Sequence, residues 1–262
     1  MIELSSEERL IALELARKDF YFFVRFYFHH QKKQKWIPAE HHKVICNALM
    51  RAYRGESKKL LINIAPRSGK TQIMLYFAAW SFGHSAQSHY IMTSYSTRLA
   101  VANSWQVRQI ICDPLFQEIF PNIHIDQTSS AKDNWRTLEG GNFYASGSMS
   151  ALTGFGAGSV LDGWHGCIIV DDANNATDSR SEVMLQNVIN WYGDTLQSRR
   201  NGPTTPIIAI QQRLSENDLS GHFLSESGNE PWDHVCSNPH QLVAVCLSLI
   251  NYSGLKLFPW NQ

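Results

Sequence analysis

Leu60-Leu61-Ile62-Asn63-Ile64-Ala65-Pro66-Arg67-Ser68-Gly69-Lys70-Thr71 is the stretch that decides the fold. Residues 60–64 form a short apolar run that predicts a buried strand. A tight turn follows, and then a helix start. A helix N-terminus leaves backbone N–H groups unpaired and adds its dipole, so this turn favours an anion such as a polyphosphate. Gly69 lets the backbone approach that anion closely. Lys70 is placed to reach the β- and γ-phosphates, and the Thr71 hydroxyl to coordinate Mg2+. Pro66, Arg67 and Ser68 complete the nucleotide-binding loop. In the pattern G-x-x-x-x-G-K-[ST] the first glycine would fall at Ile64, so the motif is imperfect. A Gly-Lys-Thr triplet is common by chance, and its place after an apolar run gives it weight. Arg67 is an extra cation inside the loop. It reads as a catalytic charge acting on the γ-phosphate in cis, against the alternative of a surface arginine in a turn.

Cys167-Ile168-Ile169-Val170-Asp171-Asp172 is a second apolar run, and it ends in two carboxylates. Nucleotide hydrolysis needs one acid to hold Mg2+, directly or through water, and a second group to orient and polarise the attacking water. Asp171 fits the first role, with Thr71 as the other metal ligand. Asp172 fits the second, as a catalytic group beside Arg67 and Lys70. Asp178 and Glu182 are downstream alternatives for the base. An apolar run ending in Asp-Asp is weak alone, because strands often end in aspartate turns. Paired with the Lys70 loop about 100 residues upstream, it predicts an enzyme that uses ATP and Mg2+.

Outward from these two motifs, short apolar runs alternate with helical stretches. Strands are predicted over 89–94, 167–170 and 206–211, and helices over 70–81 and 97–112. Gly140-Gly141 between two short runs predicts a hairpin over 134–146. Leu185, Val188, Ile189, Tyr192 and Leu196 repeat at helical spacing and predict one helix over 179–198. This alternation implies an α/β fold with a mainly parallel central sheet flanked by helices. Ligands in such sheets bind beyond the carboxyl ends of the strands, where both motifs fall. Residues 154–158 (GFGAG) add a glycine-rich loop.

The 262 residues allow one large domain or one domain with a small appendage, and lysine plus arginine equals aspartate plus glutamate at 23 each. That balance leaves no global electrostatic footprint for nucleic acid. Contacts would rest on local runs such as Lys32-Lys33-Gln34-Lys35 or Arg199-Arg200, which also read as solvated faces. Cys46, Cys112, Cys167, Cys236 and Cys246 form no C-x-x-C pair and are odd in number. This argues against a disulfide framework or a structural zinc site and for a reducing compartment. Ser5 and Glu8 form a capping-box pattern rather than a signal peptide. The aromatic segment 19–30 carries Arg25 and predicts a core helix, not a membrane anchor. His29-His30 and His41-His42 invite a metal reading, but adjacent side chains diverge on a helix or strand. Trp105, Trp164 and Trp191 read as packing residues.

Together these residues resemble the N-terminal ATPase domain of the large terminase subunit of tailed bacteriophages. Residues 36–42 (WIPAEHH), with Ile45 and Leu49, are similar to the family's segment before the first strand, near the adenine pocket. APRSGKT resembles its P-R-x-G-K-[ST] loop, which lacks the first glycine and carries arginine. Ser94-Tyr95-Ser96 with Leu99-Ala100 resembles the segment after the second strand. Residues 135–147 and Leu152-Thr153-Gly154-Phe155-Gly156 are similar to the family's hairpin and T-G-F-G loop. Residues 168–178 (IIVDDANNATD) resemble its Walker B strand and acidic loop. Residues 207–221 resemble the coupling segment with its T-R-W-x-x-x-D-L-x-G pattern. Arg213, Asp218, Leu219 and Gly221 keep that pattern, while Gln212 and Leu214 stand where threonine and tryptophan are usual.

The resemblance spans roughly residues 10–235. It implies a RecA-like ASCE P-loop NTPase fold. Residues 1–57 would be an N-terminal helical segment, 58–235 the ATPase core, and 236–262 a C-terminal tail or linker start, with no nuclease domain and no DNA cleavage. It implies hydrolysis of ATP with Mg2+ to translocate double-stranded DNA into a procapsid in the host cell cytoplasm, with Gln212 and Arg213 relaying nucleotide state. The implied partners are DNA, a portal protein, a small terminase subunit and further copies of the chain. Those copies would form a homo-oligomeric ring when docked, from a monomer in solution. A ring neighbour could supply a cation in trans, for which Arg98 and Arg136 are candidates. Two other readings share these residues: another RecA-related or helicase-like ATPase, and an inactive truncated terminase fragment.

Overall fold

The computed structural model describes residues 5–129, 131–225 and 231–236. The run that opens the sequence argument becomes β1 (Lys59–Asn63), buried along its whole length. The other strands are β2 (His89–Ser94), β3 (Asn134–Arg136), β4 (Asn142–Gly147), β5 (Ile168–Asp171), β6 (Ile207–Gln211) and β7 (Asp233–Cys236). They form one seven-stranded sheet of order β3-β4-β2-β5-β6-β1-β7. Every pairing is parallel except β3 with β4, the predicted hairpin. Strands covered on both faces read as unbroken apolar runs, and β1, β5 and β6 are legible for that reason. β7 has no such signal, because Asp233-His234-Val235-Cys236 offers Val235 as its one large apolar residue.

Side chains alternate across the sheet, so each strand feeds two cores. Leu60, Ile62 and Ile169 face one core, and Leu61, Ile168 and Val170 face the other. The first core is covered by α1 (Ser6–Lys18), α2 (Phe20–Lys32), α3 (Glu40–Tyr53), α4 (Lys70–His84), α5 (Thr97–Ile111) and α6 (Pro114–Ile119). The second is covered by α7 (Glu182–Trp191) and α8 (Leu219–Leu224). α1 opens with the expected capping box: Ser5 Oγ accepts the Glu8 N–H, and the Glu8 carboxylate accepts the Ser5 N–H at 2.8 Å. The aromatic segment is α2, which buries Phe20, Phe23, Val24 and Tyr27, and Phe20 meets Phe77 of α4 edge-on at 5.5 Å. Among the described residues no helix is long and apolar enough to cross a membrane.

One expectation changes. The single helix predicted over 179–198 begins only at Glu182, where Ser181 caps it. After Trp191 it widens into a π-type turn (Tyr192–Leu196) and then tightens into a 3-10 turn (Gln197–Arg199). Gly193 and Asp194 are weak helix formers, yet Tyr192 and Leu196 must still reach the core. The glycine-rich loop, residues 154–158, packs on β2 and β4. The Gly158 N–H donates to His89 O at the start of β2, and Phe155 stacks on Tyr144 at 3.7 Å. It therefore buttresses the amino ends of the strands. The tail predicted over 236–262, with Cys246, lies outside the described residues apart from Cys236.

β5 carries the acids, and its approach is fixed at Gly166. This glycine has φ +99°, and an added Cβ would overlap the His89 carbonyl. Gly166→Ala should destabilise the chain by about 2 kcal/mol or more, read as a lower urea midpoint. An unchanged midpoint would show that this contact does not set the position of β5.

Candidate functional site

A parallel sheet brings the carboxyl ends of its strands to one edge. There the ends of β1 and β5 flank β6. The turn after β1 is closed by Ser68 Oγ, which donates to Ala65 O at 2.7 Å. Arg67 and Gly69 take left-handed φ values of +62° and +78°. Glycine adopts such a φ freely, whereas an arginine held there costs on the order of 1 kcal/mol. α4 then begins at Lys70. The N–H groups of Gly69, Lys70 and Thr71 donate to no group among the described residues. They are the donors that an anion at a helix N-terminus would use.

β5 delivers the two acids to this loop. Thr71 Oγ donates to Asp171 at 3.1 and 3.3 Å, and Asn103 Nδ2 on α5 donates to Asp171 Oδ2 at 3.1 Å. Asp171 is 1% exposed. Burial, and then the charge of Asp172, pushes its carboxyl up to about 6, against the opposing pull of Lys70, Thr71 and Asn103. Asp172 takes φ +46°, which aspartate tolerates better than most residues. Its N–H donates to Ile210 O and its carbonyl accepts the Tyr95 N–H, so its backbone is pinned between β6 and β2. Its Oδ1 accepts from Lys70 Nζ at 2.7 Å and from the Gln212 N–H at 2.8 Å.

The structure thus joins Lys70, Thr71, Asp171 and Asp172 directly. Pro66 and Arg67 are exposed beside them, and Arg67 makes no hydrogen bond or ion pair among the described residues. Gln212 reaches Asp172 through its backbone, so its side-chain departure from the terminase pattern leaves that contact intact. Arg213 stays within its own loop, with Nε 3.3 Å from Asp218 Oδ1 and Nη2 donating to Ser215 O and Glu216 O. Asp178 bonds Asn175, and Glu182 is exposed, so neither is hydrogen-bonded to the turn at residues 65–71. Arg98 is exposed at the start of α5, and Arg136 on β3, the edge strand opposite β7. The described residues contain no cluster of three or more metal-ligating side chains.

Two participants escaped the sequence reading. Asn103 lies on the buried face of α5 with Ala100, Ser104, Val107 and Arg108, a face of mixed polarity on which no pattern singled it out. Asn174 accepts the Leu219 N–H at 3.1 Å and ties the acid loop to α8.

The raised Asp171 carboxyl has a consequence for stability. Its ordinary value is 3.8, so the folded chain keeps a proton that the unfolded chain has already lost. Stability therefore falls as pH rises from about 4 to about 6 and stays reduced above that. Asp171→Asn should stabilise the nucleotide-free chain by about 1–3 kcal/mol near neutral pH, with a gain that shrinks towards pH 5. Thermal melting at the two pH values checks this, and a gain independent of pH would contradict it.

Comparison with known proteins places this geometry. A family model described as the N-terminal part of the T4likevirus-type terminase large subunit matches residues 61–222. That span runs from β1 through both motifs into α8. Among solved structures, the HK97 bacteriophage large terminase aligns with a TM-score of 0.53 at 13% identity, over 84% of this chain and 43% of that one. This chain therefore spans less than half the length of that terminase, and at such identity the likeness shows the fold. The Thermus phage P74-26 large terminase ATPase domain aligns at 11% identity and a TM-score of 0.45, over 85% of this chain and 94% of that one. No curated protein matches this chain. The mainly parallel sheet flanked by helices is a RecA-like fold, shared with the HK97 large terminase. The chain belongs to the large terminase subunit family and carries its N-terminal ATPase domain.

Proposed function

We propose that this chain binds ATP with Mg2+ and hydrolyses it to drive double-stranded DNA into a procapsid. The observation that carries this reading is the meeting of Lys70, Thr71, Asp171 and Asp172 beside a row of free N–H groups at the start of α4. Residues 66–71 wrap the phosphates. Thr71 and Asp171 suit Mg2+: both offer hard oxygen donors, and the buried Asp171 charge lacks a full counter-charge. Bound Mg2+ would offset the negative charge of the phosphates.

The remaining steps belong to the chain itself. Lys70 turns from Asp172 to the phosphates. Asp172, still held by the Gln212 N–H, then accepts the proton of the attacking water. Arg67 stabilises charge on the γ-phosphate from the exposed side of the loop. Because Asp172 is bonded to the backbone of Gln212, any shift of its carboxylate is felt by the segment containing Gln212 and Arg213, which supports a coupling role there. Arg98 or Arg136 serves a neighbouring site in a ring docked on a portal protein in the host cytoplasm, with a small terminase subunit as a further partner. Contact with DNA is to its phosphates and weakens with salt.

ATP hydrolysis by the purified chain, with and without double-stranded DNA, tests the reading. Mg2+-dependent turnover should vanish in Lys70→Ala, and a rate equal to wild type would refute the phosphate-loop assignment. Asp172→Asn should still bind nucleotide but lose about 10²–10⁴-fold in turnover, the usual scale for a general base. Weaker binding in Asp172→Asn together with normal binding in Asp171→Asn would reverse the two roles.

A further inference from the structure

We propose that His41 and His42 are positioning residues for the nucleotide, which jointly hold the Ser68 carbonyl and so aim the Gly69 N–H at the phosphates. The inference rests on the ATP-binding reading above. Both ring Nε2 atoms lie 3.2 Å from Ser68 O. Successive positions on a helix point about 100° apart, so two neighbours converging on one oxygen is not a default arrangement. Here the residues sit in the first turn of α3, and their rings meet with centroids 4.1 Å apart. Trp36 packs on His42 from the preceding segment, with centroids 4.5 Å apart.

The hydrogen-bond directions are determined. The Ala39 N–H donates to His42 Nδ1 at 3.2 Å, so Nδ1 carries no proton. In the neutral ring the single proton is then on Nε2, which donates to Ser68 O. Burial keeps the His42 ring below the usual histidine range and so favours that neutral form. A carbonyl oxygen has two lone pairs and can accept from both histidines.

The consequence follows from peptide geometry. The Ser68–Gly69 peptide is trans, so its N–H points opposite to its C=O. Drawing Ser68 O towards α3 turns the Gly69 N–H away from α3. That N–H and those of Lys70 and Thr71 have no acceptor among the described residues. Gly69 itself lies against the clamp: a Cβ there would stand 3.6 Å from His42 Nε2 and 3.8 Å from the Trp36 ring. Two left-handed residues, Arg67 and Gly69, flank Ser68, and such a loop keeps its shape only when its surroundings hold it. The clamp is an anchor supplied from 26 and 27 residues away in the chain.

The test is steady-state ATP hydrolysis by the full chain, with folding followed by thermal melting. His42→Leu removes the donor to Ser68 and the acceptor for Ala39. Its KM for ATP should rise about two- to tenfold, the scale of one hydrogen bond, while kcat changes little. His42→Gln keeps an amide donor at the Nε2 position, three bonds from Cβ, and should bring the KM back towards the wild-type value. The double variant His41→Leu/His42→Leu should exceed the single. An unchanged KM in folded His42→Leu, or a KM in His42→Gln as high as in His42→Leu, overturns the proposal. Should His42→Leu fail to fold, His41→Leu decides alone, because it removes one of the two donors and must raise KM measurably. Wild-type protein that binds no ATP, or Lys70→Ala that binds as tightly as wild type, would instead refute the ATP-binding reading.

Discussion

The carboxylate of Asp172 is the contact on which the site depends. One oxygen atom accepts from the Lys70 ammonium and from the Gln212 backbone, and so joins the ends of β1, β5 and β6. The pair is largely withdrawn from water, with side-chain exposures of 7% and 19%. Removing one member of such a pair leaves a charge without its partner in a poorly solvating place, at a cost of about 3–5 kcal/mol where burial is complete. The sheet order makes the contact possible. With β6 between β1 and β5, the acid lies two strands from the strand that leads into Lys70, and a long lysine side chain can reach it.

Around that contact the charges are unevenly compensated. Asp172 has a cation, whereas Asp171 has hydroxyl and amide donors from Thr71 and Asn103 in a buried setting. The outcome is a carboxyl near 6 beside one that stays paired. Two carboxylates in different environments can take different roles, and here the asymmetry comes from which neighbours each oxygen meets. The same loops carry this state outward. Asn174 holds the first turn of α8, and Asp218 gathers the Leu214, Ser215 and Gly221 N–H groups into one turn. Movement of the acid loop therefore has a short mechanical route to α8.

Much of the architecture was legible because it is local. The apolar runs of β1, β5 and β6, the Ser5–Glu8 capping box and the hairpin around Gly140-Gly141 each depend on neighbouring residues. The helix over 179–198 was harder. Its periodicity was correct, but Gly193 and Asp194 loosened the winding while packing kept Tyr192 and Leu196 inward. β7 was hidden, because an edge strand paired on one side needs little apolar pattern.

The sequence alone therefore determined the strand, the turn over residues 65–69 and the helix start at Lys70, and the acidic end of a second strand. These follow from hydrophobic periodicity and backbone preference over a few residues. Only the tertiary structure decided which groups meet: Asn103 on Asp171, the Gln212 backbone on Asp172, and two adjacent histidines on the Ser68 carbonyl. Such contacts join distant parts of the chain. Their geometry is set by strand order and by how α3 and α5 pack on the sheet, and no local pattern encodes either.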